Sequence, residues 1–291
     1  MNDLRGKTLL MSGGSRGIGL AIAERAARDG ANVAIIAKTT TPHPKLEGTI
    51  FTAAERIEAA GGTALPIAGD VRDEESVTAA VERTVKRFGG VDIVVNNASA
   101  IDLGTPESIA MKRYDLMQDI NVRGAFLLSR SCLPSLRESE NPHVLTLSPP
   151  LSLRSKWYRE HLAYTIAKHG MSMVTLGMAD AHREEGIAFN SLWPRTYIAT
   201  AAVRNRLGGE DVVRRSRNPQ IMADAAYSIF RRPSRSFTGN FCIDEAVLRE
   251  EGETNFARYS VDPRVEPLTD IFVDEDVAAS ATEPHTAGVN G

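Results

Sequence analysis

The sequence predicts an α/β fold in which helices cover both faces of a doubly wound parallel sheet. Short apolar segments alternate with longer helical patterns along residues 5–248, and this alternation is typical of the βα units that build a parallel sheet. The segments VAIIA (33–37) and VDIVV (91–95) are apolar on both faces, as strands are when helices cover the sheet on each side.

Seven strands and six helices are expected in alternation. The strands are predicted at residues 8–12, 32–37, 64–68, 91–96, 144–148, 187–192 and 240–243, and the helices at 18–29, 52–60, 74–88, 108–136, 161–184 and 221–230. No linker interrupts them, so residues 1–250 are predicted to form a single domain. Residues 251–291 form an acidic C-terminal extension, and we expect its last dozen residues to be disordered because they are polar.

A glycine-rich turn, SGGSRGIG (12–19), follows the first strand and opens the first helix. Glycines permit a tight turn and a close approach of the backbone to a phosphate, and the helix N-terminus supplies N–H donors and partial positive charge. The position between strand and helix favours a dinucleotide-binding turn over a plain strand–helix connection. The expected cofactor contacts here are Gly13, Ser15, Arg16, Gly17, Ile18 and Gly19.

The end of the second strand bears on which dinucleotide binds. An NAD site usually carries Asp or Glu about 20 residues beyond the glycines, where it binds the ribose 2′-hydroxyl. Here the strand ends in Ala37 and Lys38 without a carboxylate, and Arg16 adds a second cation. Because a 2′-phosphate attracts charged donors, we predict NADP(H), with NAD(H) as the alternative. Lys38 could also be an ordinary solvated lysine.

Composition excludes several classes of function. The net charge of −3 and the pI of about 6.1 give no basic excess for nucleic acid. Cys132 and Cys242 form no CxxC motif and lie near no histidine cluster, which argues against a metal site or disulfide framework. The N-terminus is too polar for a signal peptide, and no apolar run reaches the roughly 20 residues of a membrane helix. We therefore expect a soluble, cytoplasmic protein.

The fifth strand ends in the segment TLSPPL (146–151). Pro149 and Pro150 lack backbone N–H groups, so a strand that continued through them would lose ladder hydrogen bonds. The strand should therefore stop at Ser148 and present its hydroxyl at a fixed corner.

The helix predicted after this strand contains AYTIAKHG (163–170). Tyr164 and Lys168 are four residues apart, so they share one helix face. A free tyrosine has a pKa of about 10, and a nearby ammonium lowers that value. Such a tyrosine can exchange a proton with a carbonyl or alcohol oxygen while hydride moves. This spacing is common by chance, so it carries weight only beside other motifs.

Taken together, the motifs resemble those of the short-chain dehydrogenase/reductase family. They are SGGSRGIG for TGxxxGxG, GDV (69–71), NNAS (96–99) for NNAG, INV (120–122), YTIAK for YxxxK, and FTG (237–239), in family order. The resemblance implies a Rossmann-type fold and NAD(P)-dependent oxidoreduction. It also implies a homodimer or homotetramer.

The resemblance also implies residue roles. Tyr164 would be the acid/base, Lys168 would hold the nicotinamide ribose, and Asn121 would bend its helix and bind a relay water. The remaining implied cofactor contacts are Asp70 and Val71 at the adenine, Asn97, Ala98 and Ser99 near the riboses, and Pro194 and Thr196 after the sixth strand.

A serine at the tip of the fifth strand is implied as the residue that holds the substrate oxygen. The family serine often falls one place later, where this chain has Pro149. Ser148 is our choice for this hydroxyl. Ser152 is an alternative, and so is a mechanism in which Tyr164 works with a backbone N–H or water instead.

Longer segments, including TLSPPLSL and KWYREHLAYTIAKHGMSM, resemble the hydroxysteroid dehydrogenase-like 2 branch of the family. This resemblance implies an apolar carbonyl or alcohol as substrate. Residues 197–220, here called the substrate flap, carry five arginines that would either bind an anionic group or form a solvated helix face. Two other functions stay open, a non-catalytic NADP-binding regulator and a 2-enoyl reductase that reduces C=C bonds.

Overall fold

A computed structural model describes residues 3–42 and 47–274. Its sheet has seven parallel strands in the order β3-β2-β1-β4-β5-β6-β7. The strands are β1 Thr8–Ser12, β2 Asn32–Ala37, β3 Thr63–Ala68, β4 Ile93–Asn96, β5 His143–Thr146, β6 Ala188–Trp193 and β7 Phe241–Ile243. The predicted doubly wound, Rossmann-type fold is confirmed.

Helices lie on both faces of this sheet. They are α1 Gly17–Ala27, α2 Ile50–Ala59, α3 Glu74–Phe88, α4 Met111–Met117, α5 Gly124–Arg137, α6 Lys156–Arg159, α7 Leu162–Ala181, α8 Gly209–Arg214, α9 Gln220–Arg231 and α10 Asp244–Glu250. Two π-helical turns, Gln118–Arg123 and Val203–Leu207, and a 3₁₀ turn, Phe256–Tyr259, complete the helical elements of the described residues.

The alternation of side chains along each strand divides the core into two layers. In β1, Leu9 and Met11 join the layer that contains Ile22 of α1. Leu10, between them, joins the opposite layer with Leu128 of α5. All five side chains are almost completely buried. Successive strand residues point to opposite faces, so continuously apolar strands are stable only because helices cover both faces.

Most element boundaries differ from the prediction by a few residues, and two of these differences bear on the cleft. The single helix expected at 108–136 is instead α4, the π-helical turn Gln118–Arg123 and α5. Strand β5 ends at Thr146, earlier than predicted, because the Ser148 N–H donates to the Thr146 carbonyl within its own chain. Ser148 therefore belongs to the loop and not to the strand.

The C-terminal extension packs back onto the sheet's carboxyl edge. Phe256 and Tyr259 are buried in the same layer as Leu9. Residues 267–274, here called the C-terminal strap, then run beside the segment that follows β6, with an antiparallel bridge between Thr196 and Thr269. The final dozen residues, for which disorder is expected, lie outside the described residues.

Candidate active site

A large cleft opens at the carboxyl ends of β1 and β4, where the strand order reverses. Such switch points are where doubly wound sheets bind ligands. The cleft has a volume of about 1320 Å³. The glycine turn lies in one part of it, and Tyr164, Lys168 and Trp193 line another.

The glycine turn is shaped so that side chains would not fit. Gly13 has φ +71°, and a Cβ there would lie 2.9 Å from the Cα of Ala98. A Cβ at Gly19 would lie 2.6 Å from the Asn97 amide nitrogen. Gly17, the first residue of α1, has φ +56°. Glycine adopts such backbone angles without steric cost, so these residues bring the start of α1 close to β4.

Ser12 connects the turn to the end of β4. Its hydroxyl oxygen accepts the backbone N–H groups of Asn97 and Ala98, both at 3.1 Å. The Asn97 amide donates to the Gly13 carbonyl at 2.8 Å. The first turn of a helix carries N–H groups with no partner in the helix, so this end of the cleft fits a dinucleotide phosphate.

The two cations predicted to recognise a 2′-phosphate both line the cleft. Lys38 lies 3.1 Å from an Asp70 carboxylate oxygen. Hydrogen bonds from Arg72 hold the pKa of Asp70 well below its usual range. Arg16 donates to the carbonyls of Glu47 and Gly48 at 2.8 and 2.7 Å. Each cation therefore already has a protein partner.

Tyr164 and Lys168 lie one turn apart on α7, and both side chains are almost completely buried. The Lys168 ammonium donates to the Leu147 carbonyl at 2.8 Å. Burial lowers the pKa of Lys168 to about 7, whereas burial and the nearby Asp270 carboxylate raise the pKa of Tyr164. Desolvation opposes the phenolate and raises the pKa of Tyr164, so the lowering by Lys168 stays a prediction.

Asn121 lies in the π-helical turn Gln118–Arg123 and is fully buried. Its side-chain oxygen accepts the Ala100 N–H at 2.8 Å, and its amide donates to the Ala100 carbonyl at 3.1 Å. The side-chain oxygen and nitrogen of Asn121 therefore both hold the loop after β4. Asn121 lies behind the cleft wall, while its neighbour Ile120 lines the cleft.

Ser148 does not face the cleft. Its hydroxyl is buried and lies 2.8 Å from the Ser191 hydroxyl, which in turn donates to Thr175. The alternative, Ser152, donates to an Asp274 carboxylate oxygen at 3.2 Å. Neither serine lines the cleft, so the structure does not support the assignment of Ser148 as the substrate-binding hydroxyl.

Of the two cofactor contacts expected in the segment after β6, Pro194 and Thr196, only one lies at the cleft. Pro194 lines the cleft, but Thr196 does not, and within residues 3–42 and 47–274 its buried hydroxyl has no hydrogen-bond partner. The side chain of Arg195 forms an ion pair with Glu245 at 3.3 Å. Its charge is therefore engaged by α10.

Thr200 is a cleft residue that sequence reasoning missed. A Cβ at Gly17 would lie 3.4 Å from the Thr200 methyl group, so Thr200 faces the start of α1 across the cleft. Thr200 lies six residues beyond Pro194 in a segment with no helix or strand, so no periodicity points to it. Only the spatial proximity to the glycine turn identifies it.

The C-terminal strap forms one wall beside Tyr164. Asp270 and Ile271 line the cleft, and the Trp193 indole donates to the Ile271 carbonyl at 2.8 Å. Phe272 packs against four aromatic rings, those of Trp157, Tyr164, His169 and Trp193. The sequence feature that could have indicated this packing is the apolar triplet IFV (271–273).

At the end of the strap, Asp274 is buried. Its carboxylate lies 2.6 Å from the Lys156 ammonium and 3.3 Å from the Arg154 guanidinium. The Trp157 indole donates to the same carboxylate at 3.3 Å. These contacts attach the strap to the loop and short helix that precede α7.

A protein-family model described as short chain dehydrogenase matches residues 7–210. The chain belongs to this family. Among curated short-chain dehydrogenases, it is 57% identical over 272 residues to the mouse hydroxysteroid dehydrogenase-like protein 2, which agrees with the branch that the sequence predicted. The match covers 94% of this chain and 55% of the mouse protein, so the chain spans about half the length of that relative.

Two solved structures are similar to this short-chain dehydrogenase in both sequence and fold. A short chain dehydrogenase from Mycobacterium thermoresistibile is 56% identical, with a TM-score of 0.89 over 94% of this chain and 96% of that one. A protein from Xanthomonas campestris is 52% identical, with a TM-score of 0.92 over 94% of this chain and all of that one. Both similarities extend well past residue 210, where the family model ends.

The predicted cofactor residues of this short-chain dehydrogenase are largely brought together. The cleft is lined by Gly13, Ser15, Arg16, Gly17, Ile18, Lys38, Asp70, Val71, Asn97, Ala98, Ser99, Tyr164, Lys168 and Pro194. Gly19, Asn121, Ser148 and Thr196 lie behind its walls. Short-chain dehydrogenases act on small molecules with nicotinamide cofactors. Among the described residues, no group of His, Cys, Asp or Glu is arranged to hold a metal, and no helix is long and apolar enough to span a membrane.

Proposed function

We propose that the protein is an NADP(H)-dependent oxidoreductase that interconverts a carbonyl group and an alcohol on an apolar substrate. One observation carries this proposal. Tyr164 and Lys168 line the same cleft as a glycine turn into which side chains would not fit. A proton donor and a dinucleotide-binding turn in one cleft are the two parts that hydride transfer to a carbonyl requires.

The cofactor would be held along the carboxyl edge of the sheet. NADP(H) supplies or accepts the hydride at its nicotinamide ring. The start of α1 at Gly17 would bind the diphosphate, and Val71 would contact the adenine. Pro194 and Lys168, which line the part of the cleft near Tyr164, would position the nicotinamide end.

Proton transfer is assigned to Tyr164. Because burial raises its pKa, the phenol keeps its proton at neutral pH and can give it to a carbonyl oxygen. This state suits reduction more than oxidation. Lys168, whose pKa is lowered to about 7, is balanced between its two forms and can return a proton toward the phenolate.

The NADP(H) preference is supported by charges at the end of β2. Lys38 and Arg16 line this part of the cleft, and no carboxylate occupies the tip of the strand itself. A 2′-phosphate would compete with Asp70 for Lys38, and Asp70 would keep Arg72 as its partner. We expect Lys38→Ala to raise the KM for NADPH at least about tenfold with little change for NADH, whereas Lys86→Ala on the exposed face of α3 should change neither.

An apolar substrate is supported by the apolar side chains that line the cleft. Ile101, Trp193 and Ile271 pack in one cluster with Tyr164, and Leu147, Val203 and Leu207 also line the cleft. Arg204 and Arg206 lie at the same cleft, and Arg204 is paired with Glu210. Arg206 would suit a substrate that carries an anionic group at the end distant from its carbonyl.

The direct test follows NADPH absorbance with aldehydes, ketosteroids and 3-oxoacyl-CoAs. Turnover should occur with at least one class and should fall at least about a hundredfold in Tyr164→Phe, which lacks the proton. Product analysis must find the hydride on a carbonyl carbon. Its appearance on a C=C bond would establish the 2-enoyl reductase instead, and activity restricted to short polar sugars would exclude an apolar substrate.

A non-catalytic NADP-binding regulator is the second candidate. The observation that favours it is the C-terminal strap, which leaves Tyr164 only 5% exposed. NADPH binding without turnover across the whole substrate panel would support the regulator and would contradict the oxidoreductase.

A further inference from the structure

The wall around Tyr164 lacks the hydroxyl that the fifth strand was expected to provide. The Ser148 hydroxyl is directed to Ser191, and Ser152 is bound to Asp274. A polar side chain from the C-terminal strap lines the cleft instead. Asp270 lies with Tyr164 and Lys168 among the cleft residues and keeps partial exposure.

Asp270 is held in place by its backbone. Its N–H donates to the Arg195 carbonyl at 3.0 Å, and the preceding Thr269 forms the bridge to Thr196. The Asp270 carboxyl group also accepts the backbone N–H of Ile271. The Asp270 side chain lines the cleft and is partly exposed, so a ligand in the cleft can reach it.

Several titratable groups face Asp270 from the elements packed around it. They are Tyr164 and Lys168 from α7, Tyr197 from the segment after β6, and Asp244 at the start of α10. Burial and the Asp244 carboxylate raise the pKa of Asp270 to about 8, while Lys168 opposes this shift. This shift favours the protonated form of Asp270.

We propose that the Asp270 carboxyl group, which lines the cleft with Tyr164 and Lys168, donates a hydrogen bond to the reacting oxygen of the substrate. The proposal rests on the proposed function, since it concerns the same oxygen. In reduction, hydride forms the new C–H bond, the C=O π electrons move to oxygen, and the Tyr164 proton forms the new O–H bond. The Asp270 proton stays on the carboxyl group throughout.

The advantage of such a donor is that its hydrogen bond becomes stronger as negative charge develops on the substrate oxygen. A fixed hydrogen-bond donor in a water-poor site stabilises a developing oxyanion more than it stabilises the neutral carbonyl. A carboxyl group kept neutral by its surroundings can serve as such a donor. An ionised Asp270 would instead repel the same oxygen, so activity should fall as pH rises through its pKa.

The protonation of Asp270 can be tested without turnover. Trp157 and Trp193 are the only tryptophans in the chain, and both contact Phe272 of the strap. Their fluorescence in the full chain should show a titration with a midpoint near 8, the value to which the pKa of Asp270 is raised. Asp270→Asn should abolish that titration, and the matched strap variant Asp274→Asn should retain it.

The variant Lys168→Met tests whether Asp270 is the group that titrates. If Asp270 titrates, its midpoint should move to higher pH in this variant, because the ammonium no longer stabilises the carboxylate. A wild-type protein with no titration near pH 8 would overturn the proposal. So would the same titration in Asp270→Asn.

Kinetics test the hydrogen bond itself. Asp270→Leu, of similar size but without a donor, should lower kcat at least about tenfold at neutral pH with NADPH affinity unchanged. Asp270→Asn keeps an N–H donor, so it should retain most activity and lose the decline above pH 8. Unchanged kcat in Asp270→Leu overturns the proposal. An inactive wild-type protein would instead reject the proposed function, and the fluorescence titration would still decide the state of Asp270.

Discussion

Phe272 lies against Tyr164, with ring centroids 6.0 Å apart and ring planes 29° from parallel. Among the described residues, Phe272 is the only non-glycine with positive φ, at +67°. A bulky side chain rarely adopts this conformation, and it persists only where surrounding contacts hold it. Here the rings of Trp157, His169 and Trp193 provide those contacts. The wall beside the phenol is therefore built by aromatic packing.

Removal of the Phe272 ring should destabilise the protein. Phe272→Ala should lower the free energy of unfolding by roughly 3 kcal/mol, because it leaves a cavity among four rings. Urea unfolding followed by tryptophan fluorescence measures this change. Val261→Ala, at an exposed position of the same extension, should cost less than about 0.5 kcal/mol. Equal effects of the two variants would show that the strap does not pack as described.

Ser148→Ala should affect stability more than catalysis. The Ser148 hydroxyl is hydrogen-bonded to Ser191 away from the cleft, so we expect kcat to change less than about threefold. The lost buried hydrogen bond should cost about 1 kcal/mol of stability. Steady-state kinetics and urea unfolding on the same preparation test both parts. A tenfold loss of kcat at unchanged stability would restore Ser148 as a catalytic residue.

Gly13→Ala should impair cofactor binding. The added Cβ would lie 2.9 Å from the Ala98 Cα in a backbone conformation with φ +71°, so the turn must move. We expect NADPH affinity to fall at least about tenfold, as measured by fluorescence titration. Gly89→Ala is the matched control, because its φ is also positive but nothing lies within 4 Å of the added Cβ. It should lose about 1 kcal/mol of stability and bind NADPH normally.

His143 should make stability depend on pH. Burial lowers the pKa of His143 to about 4, whereas its unfolded value is about 6.5. Below 6.5 the unfolded chain binds a proton that the folded protein does not, so stability is lost as pH falls from 6.5 toward 4. The loss should be about 1.4 kcal/mol per pH unit in this window.

Urea unfolding at pH 7.5 and 5.5 measures the His143 contribution. His143→Gln cannot be protonated, so its free energy of unfolding should vary less with pH than that of the wild type. His161→Gln, at a partly exposed position, is the control and should follow the wild type. An identical pH dependence in His143→Gln would contradict the assignment.

The fold could be predicted from sequence because its signals are local. Each apolar segment such as β2 carries its own burial pattern, and the glycine turn lies between the strand and helix that it joins. The direction of the Ser148 side chain could not be predicted, because a shift of one residue in an extended chain reverses the face. The chain leaves the strand after Thr146, and the Ser148 hydroxyl then lies 2.8 Å from the Ser191 hydroxyl.

The role of the C-terminal strap was also beyond sequence reasoning. Asp270 and Phe272 lie far from Tyr164 in the chain and share no periodicity with it. The apolar triplet at 271–273 indicated that the extension would pack somewhere, but no local rule identifies the partner surface. The burial that raises the Tyr164 pKa likewise depends on this distant contact.

The glycine turn and the C-terminal strap lie at opposite ends of the described chain, and this has a consequence for biosynthesis. Gly13 itself contacts residues up to Ala98, the start of α1 also meets Thr200, and the wall beside Tyr164 needs Phe272. Since a chain is synthesised from its N-terminus, the strap that shields the phenol from water is the last of these parts to be made. Competence for chemistry would then arise only when synthesis has passed the strap.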